Sequence, residues 1–183
     1  MLEKFEMILD QDEKIEKVFK PYKAKFYFSV MFTAILTLFV FMVFGILAML
    51  FPDEGVVVDK IYLLIPIGIF VVCVFFVWLF AMLYYKNLYY AYTNKRVIIR
   101  SGIFGVDFKS LDMSMIGAVN VYVSLLDKIL CKNTGSIMFG STASPIGNSQ
   151  TIGYKFNHIK APYETCKEVK SFIDNYKKQM QSK

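Results

Sequence analysis

The side chains with the strongest claim to chemistry in this 183-residue sequence are basic rather than catalytic. Lys95 and Arg96 stand together in a polar turn, Arg100 follows four residues on, and Lys109 lies beyond the next chain reversal. Such a set can form a positive patch toward anionic headgroups, each cation contributing about 1 kcal/mol near a charged surface. The same residues could instead shape a turn, pair with a carboxylate of their own domain, or set membrane topology. Catalysis has less to work with. His158 is the only histidine, and no Ser/His/Asp or Cys/His pattern accompanies it. Zinc-type Cys/His spacings and phosphate- or dinucleotide-binding glycine motifs are missing. The sequence therefore predicts no catalytic residue, no metal and no cofactor, and points away from an enzyme. Cys73, Cys131 and Cys166 have no paired spacing and read as reduced thiols. A nucleic-acid partner is not expected, because no base-stacking platform separates from the tyrosine-rich segments.

A second constellation is Ser29, Thr33 and Thr37, which recur every fourth residue and so share one helix face, with Gly45 and Ala48 further along. Small and hydroxylated side chains let helices approach closely, which makes these three candidate helix-packing residues. They would serve either packing within a helical hairpin or a homo-oligomer that builds a small transport or pore subunit. Charged residues, the usual marker of an ion route, are missing from the surrounding apolar runs.

Those runs must position everything else. Residues 26–51 and 61–85 contain no charge, and as helices they would extend roughly 37 to 39 Å at about 1.5 Å per residue, against a hydrocarbon core of about 30 Å. Residues 26–85 therefore read as a transmembrane helical hairpin with an outer loop at 52–60. The start of the chain does not resemble a cleaved signal, since about 25 polar and mixed residues precede a run too long for a signal core. Charge is unevenly placed: residues 1–25 carry six lysines and six acids, residues 52–60 sum to −2, and residues 86–183 carry fourteen Lys/Arg against six Asp/Glu. Lys20, Lys23, Lys25, Lys86, Lys95 and Arg96 flank the inner ends of the runs and only Lys60 the loop, so the positive-inside rule puts both termini in the cytoplasm of a plasma-membrane protein. Tyr22, Phe26, Tyr27, Trp78, Tyr84, Tyr85, Tyr89 and Tyr90 read as the inner aromatic belt.

Residues 1–25 predict a cytoplasmic amphipathic lead-in, loosely helical over 2–20 and stopped by Pro21. From 86 onward the period becomes two. Residues 89–93 and 97–100 flank the turn Thr93-Asn94-Lys95-Arg96, and a strand is expected over 106–111. Val119, Val121 and Val123 alternate with polar residues, residues 136–140 and 152–157 alternate again, and 125–134 is loop or a single helical turn. Residues 143–150 are the longest polar loop. A helix over 162–178 carries the stripe Cys166, Val169, Phe172, Ile173 and Tyr176, with Pro162 in its first turn. The expected fold is membrane α+β: a hairpin, then six or seven short antiparallel strands as a sheet or barrel capped by a C-terminal helix.

Tyr92-Thr93-Asn94-Lys95-Arg96-Val97-Ile98-Ile99, followed by Ser101-Gly102-Ile103-Phe104, resembles the signature of the bacterial pleckstrin-homology-like domains of YdbS-like membrane proteins. The strand at 119–123, the Gly135-Ser136-Ile137 segment and the last helix follow the same order. Upstream, Asp12-Glu13-Lys14-Ile15 through Lys20-Pro21 is similar to that family's lead-in. The resemblance implies a pleckstrin-homology-like domain over residues 86–183 on the cytoplasmic face; it carries over no ligand-binding residue. The combined expectation is a non-enzymatic, membrane-anchored module that binds protein partners, with anionic lipid as a second contact.

Overall fold

The computed structural model describes residues 4–51, 60–129, 133–141 and 154–181. Residues 52–59 of the expected outer loop, the polar loop at 143–150 and Cys131 lie outside them. Two compact units emerge: Met1–Lys25 with Asn87–Lys183, and Phe26–Lys86.

The second unit holds most of α1 (Lys23–Leu50) and α2 (Leu64–Asn87), the latter preceded by a short 3-10 turn at Lys60–Leu63. Both helices are long and apolar enough to cross a membrane, with mean hydropathy of 2.7 and 2.8 in their most apolar windows. They approach where Gly45 meets Pro66, a Cβ at Gly45 lying 3.4 Å from the proline ring. Leu38, Met42, Gly45 and Met49 of α1 face Ile65, Pro66, Ile69 and Cys73 of α2 across an apolar cleft of about 280 Å³. At one end Phe26, Tyr27, Tyr84 and Tyr85 cluster, with ring centroids 5.2 to 6.1 Å apart.

The first unit contains two antiparallel sheets. The four-stranded sheet runs β1 (Ile15–Phe19), β2 (Tyr89–Thr93), β3 (Arg96–Ser101), β4 (Asp107–Asp112). The three-stranded sheet runs β5 (Ile116–Tyr122), β6 (Thr134–Ser141), β7 (Tyr154–Lys160), with the five-residue helix α3 (Leu125–Ile129) between β5 and β6. The last helix, α4 (Pro162–Gln181), packs on β5 and β6. Two apolar helices, antiparallel sheets and a closing helix fit the pleckstrin-homology-like fold.

The strand placing of residues 15–19 differs from the amphipathic helix that the sequence predicts there. Ile15, Val18 and Phe19 fit a helical stripe only loosely, whereas β1 pairs with β2 through Val18↔Ala91 and Phe19↔Tyr90 and satisfies its backbone on an existing sheet. Tertiary pairing outweighs a weak local preference. Tyr89 and Tyr90 also move from the expected aromatic belt into the core, at 5% and 1% exposure.

All five residues of β2 are buried because both faces of its sheet are covered. On the inner face Tyr90 stacks on Phe156 at 4.7 Å, Phe139 meets Phe156 edge-on at 4.8 Å, and Tyr92 lies against Phe172 of α4 at 5.3 Å. Such pairs add about 0.5–1.5 kcal/mol each beyond the area they bury. On the outer face, Phe5 from the N-terminal segment packs with Tyr89, Ala91 and Ile98, joined by Ile8, Leu9, Ile15, Val18 and Phe108. The stripe expected of the last helix is observed: Val169 and Ile173 are buried, with Cys166, Phe172 and Tyr176 half-buried beside them.

Gly135 in β6 marks the tightest approach. A Cβ there would stand 2.9 Å from Pro162 Cγ and 3.1 Å from the Tyr122 carbonyl oxygen, so it would push β6 from both β5 and the start of α4. Gly135→Ala is expected to cost about 1–3 kcal/mol by overpacking, read as a lower thermal midpoint. Gly105→Ala, with open space at the Cβ position, should leave the midpoint nearly unchanged.

Candidate functional site

The four basic residues singled out from the sequence do not converge. Arg96 Nε donates to Glu13 Oε1 at 3.0 Å and its Nη2 to Glu13 Oε2 at 2.8 Å, a bidentate pair, while Nη2 also reaches the Ile8 carbonyl at 2.6 Å. Thr93 Oγ1 donates to Glu13 Oε1 at 2.6 Å and accepts from the backbone N–H groups of Lys95 and Arg96. Burial pushes the Glu13 carboxyl up, but the hydrogen bonds from Arg96 and Thr93 together hold it below its ordinary value. Asn94 completes the clamp: its side chain accepts from Lys14 N–H at 2.9 Å and donates to the Asp12 carbonyl at 3.0 Å. Lys95 stands 3.8 Å from Asp10. The Thr93-Asn94-Lys95-Arg96 turn and the Asp12-Glu13-Lys14 segment, far apart in sequence, thus fasten the N-terminal segment to the sheet.

Lys109 pairs across the sheet with Ile99 and belongs to the face of Tyr90, whereas Arg100 pairs with Tyr89 and Phe108 on the opposite face. There Arg100 Cζ lies 5.8 Å from the Tyr89 ring centroid. The Tyr89 hydroxyl accepts from Lys4 Nζ at 3.0 Å and Lys20 Nζ at 3.2 Å. Those bonds, the Lys4 one foremost, hold the phenol below its ordinary pKa against the effect of burial. Sequence reasoning missed Lys4 and read Lys20 only as a topology lysine. One signal was available: alternation continued one residue past Phe19 puts Lys20 on the Val18 face, opposite Tyr89.

A second polar cluster was also missed. Lys25, read from the sequence as a topology lysine, is buried and its Nζ lies 3.0 Å from Asp127 Oδ1. Asp127 Oδ1 also accepts from Thr134 Oγ1 at 2.8 Å, and Oδ2 accepts from Ser124 N–H at 3.0 Å and from Ser124 Oγ at 2.6 Å. With the Asp127 N–H donating back to Ser124 Oγ, this is a capping box at the start of α3. The Ser-x-x-Asp spacing was legible; its role as counter-ion to Lys25 was not. Nearby the His158 carbonyl accepts from Tyr22 N–H at 2.7 Å, held in place by a left-handed backbone at φ 57°. Burial, then the Lys25 charge, pushes the His158 imidazole below its ordinary pKa.

Ser29, Thr33 and Thr37 do share a face, and Thr33 and Thr37 are exposed. Their hydroxyls donate to the carbonyls of Ser29 and Thr33, both at 2.9 Å. At 3.6 residues per turn this face lies about 140° around α1 from the residues that meet α2.

Burial pushes the Asp127 carboxyl up, but hydrogen bonds from Ser124, Thr134 and Lys25 outweigh it and bring it from 3.8 down to about 2. A depressed carboxyl stabilises the fold above its unfolded pKa, and that contribution is lost as pH falls from about 4 to about 2. Asp127→Ala should cost about 3 kcal/mol at neutral pH, since it strands a buried ammonium. Thermal midpoints measured across that pH window should show a flatter acid limb in the variant than in the native chain.

The sequence profile of the family described as Bacterial PH domain matches residues 33–180, from within α1 to the last turns of α4. No curated protein and no solved structure matches the chain. Over that span, which covers most of the hairpin, β2 to β7 and nearly all of α4, the chain belongs to the bacterial PH domain family.

Proposed function

We propose that this chain is a non-enzymatic, membrane-anchored interaction module. In this reading α1 and α2 cross the plasma membrane as a hairpin with both termini in the cytoplasm, and the PH-like domain binds protein partners at the inner leaflet, with anionic lipid as a secondary contact. The observation that carries it is the outward-facing apolar surface of the hairpin. Within the unit formed by the two helices, the most apolar windows are 0% and 6% buried, and side chains such as Phe41, Phe44, Ile69 and Phe75 are more than half exposed. So large an uncovered apolar surface suits lipid and not water. Connectivity adds support: the chain leaves the domain after β1 and returns at β2, and these strands are paired. Two short links would then tether the domain, raising the effective concentration of weakly bound partners at the membrane.

A cysteine placed at position 55, in a chain with its native cysteines replaced, should be labelled in intact cells by a membrane-impermeant maleimide, and one at position 181 only after permeabilisation. The reverse pattern would sink the topology. Cross-linking in cells followed by mass spectrometry should return a reproducible protein partner; a chain that is always solitary would remove the interaction reading.

The outward direction of the Ser29, Thr33 and Thr37 face supports a second reading, a small oligomeric transport or pore subunit. It predicts that Thr33→Phe abolishes a cross-linked homo-oligomer in membranes. If native and variant chains are both monomeric, that reading fails.

A further inference from the structure

Among the described residues the two sheets leave four outer strands, β1 and β4 on one and β5 and β7 on the other. An outer strand presents a row of unpaired N–H and C=O groups, and proteins blunt it with charge, proline or cover. Three of the four carry charge. β1 holds Glu16 and Lys17, β4 holds Asp107, Lys109 and Asp112, and β7 holds Lys155 and Lys160. β5, with the sequence Ile-Gly-Ala-Val-Asn-Val-Tyr, has neither charge nor proline. It is not hidden either: Gly117, Ala118 and Asn120 are exposed, and Met115 and Tyr122 bracket the strand at 51% and 55% exposure.

Beside this edge runs α4, and between the two lies a cavity of about 220 Å³ lined by residues 116–120 and by Lys170, Ile173, Asp174 and Lys177. Ile173 is buried, Lys170 and Asp174 are exposed, and Lys177 is half-buried. The ion pairs among the described residues use none of these three charges. Lys177 Nζ instead donates to the carbonyl of Ile116, the first residue of β5. A carbonyl of this strand thus already draws a donor from the groove, the kind of bond that an added strand's N–H supplies. Two lysines against one aspartate give the groove a positive balance that complements an acidic occupant. A second copy paired through the same edge would bring the same lysines toward one another, which charge opposes.

We propose that the open edge of β5 takes up an extended, acidic segment of a protein partner as an added strand, with Lys170 and Lys177 pairing its carboxylates. This deepens the interaction-module reading and rests on it. Main-chain hydrogen bonds to β5 supply affinity, while alternate side chains of the segment point into the groove and supply specificity. Positions 170, 174 and 177 share one face of α4, and Asp174 between the lysines repels a carboxylate at the middle of the segment. The acids of the segment are therefore spaced rather than consecutive.

The test offers a random library of short peptides to the purified full-length chain in neutral detergent. Selected peptides should be acidic with alternating apolar residues, and fluorescence anisotropy should show binding weakened about tenfold when lysines replace their acids. Methylation of the peptide's backbone nitrogens reads the binding mode. Only alternate nitrogens face β5, so methyl groups on one alternate set should abolish binding and those on the other should leave it nearly intact. Lys170→Glu changes an exposed side chain and should weaken binding, and adding Lys177→Glu should bring the loss to about tenfold. Lys109→Glu, on the β4 edge, should change nothing. Selection of peptides without acids, equal loss from both methylated sets, or full binding by the double variant overturns the site. Slow hydrogen exchange of β5 in the free chain that is lost on dilution assigns the edge to a second copy and overturns the peptide occupant. Cross-linking in cells reads the interaction module separately. A reproducible partner joined only at sites away from β5 and α4 ends this site and leaves that module standing; a solitary chain ends the module, while the peptide measurement still reports on the edge.

Discussion

Everything in the PH-like domain depends on the pairing of β1 with β2 across the inserted hairpin. Phe19 and Tyr90 are neighbours in the sheet although the whole of α1 and α2 lies between them in sequence. Closing so long a loop is entropically unfavourable, though the cost grows only slowly with length. What offsets it is a set of contacts available only in the closed form. Val18 joins the outer apolar cluster, Phe19 meets Tyr92 and Phe156 at 6.0 Å, and the carboxylate of Glu13 receives Arg96 and Thr93. Without β1 and the segment before it, the outer face of the four-stranded sheet would lose Phe5 and its neighbours and expose Ala91 and Ile98. The domain is therefore residues 1–25 and 87–183 acting together, which a fragment starting at residue 86 would not reproduce.

The same closure sorts the charges. Tyr92 donates to Glu168, which also receives Lys17, and burial followed by that carboxylate pushes the Tyr92 phenol up to about 12, so it stays a donor. Lys25 is taken by Asp127 and Arg96 by Glu13. A net charge of +6 thus describes the surface poorly, because several of its cations are structural. Which carboxylate each of these cations meets is decided by which strands become neighbours.

Much of this molecule was legible locally. The two apolar runs, the turn at Thr93 to Arg96, the alternation of β5 and the stripe of α4 are all short-range patterns. Each concerns residues within a turn or two of one another, and a periodicity of 2 or 3.6 reports which side is covered. The candidate cations were also found by type, yet their grouping was not. Arg96 and Arg100 share a strand and a face, but Arg96 is spent on Glu13, eighty-three positions away. Lys109 sits on the other face because β4 pairs with β3 in the register Ile99↔Lys109.

The sequence by itself determined the elements, because helix and strand patterns are written in neighbouring residues, and it determined that two helices carry an uncharged surface. Only the tertiary structure decided that residues 15–19 form a strand, that Tyr89 and Tyr90 are core, and that Lys4, Lys20 and Arg100 meet around one ring. Those outcomes depend on cross-strand register between segments some seventy to eighty positions apart. A one-residue slip in that register would send every side chain of the strand to the opposite face.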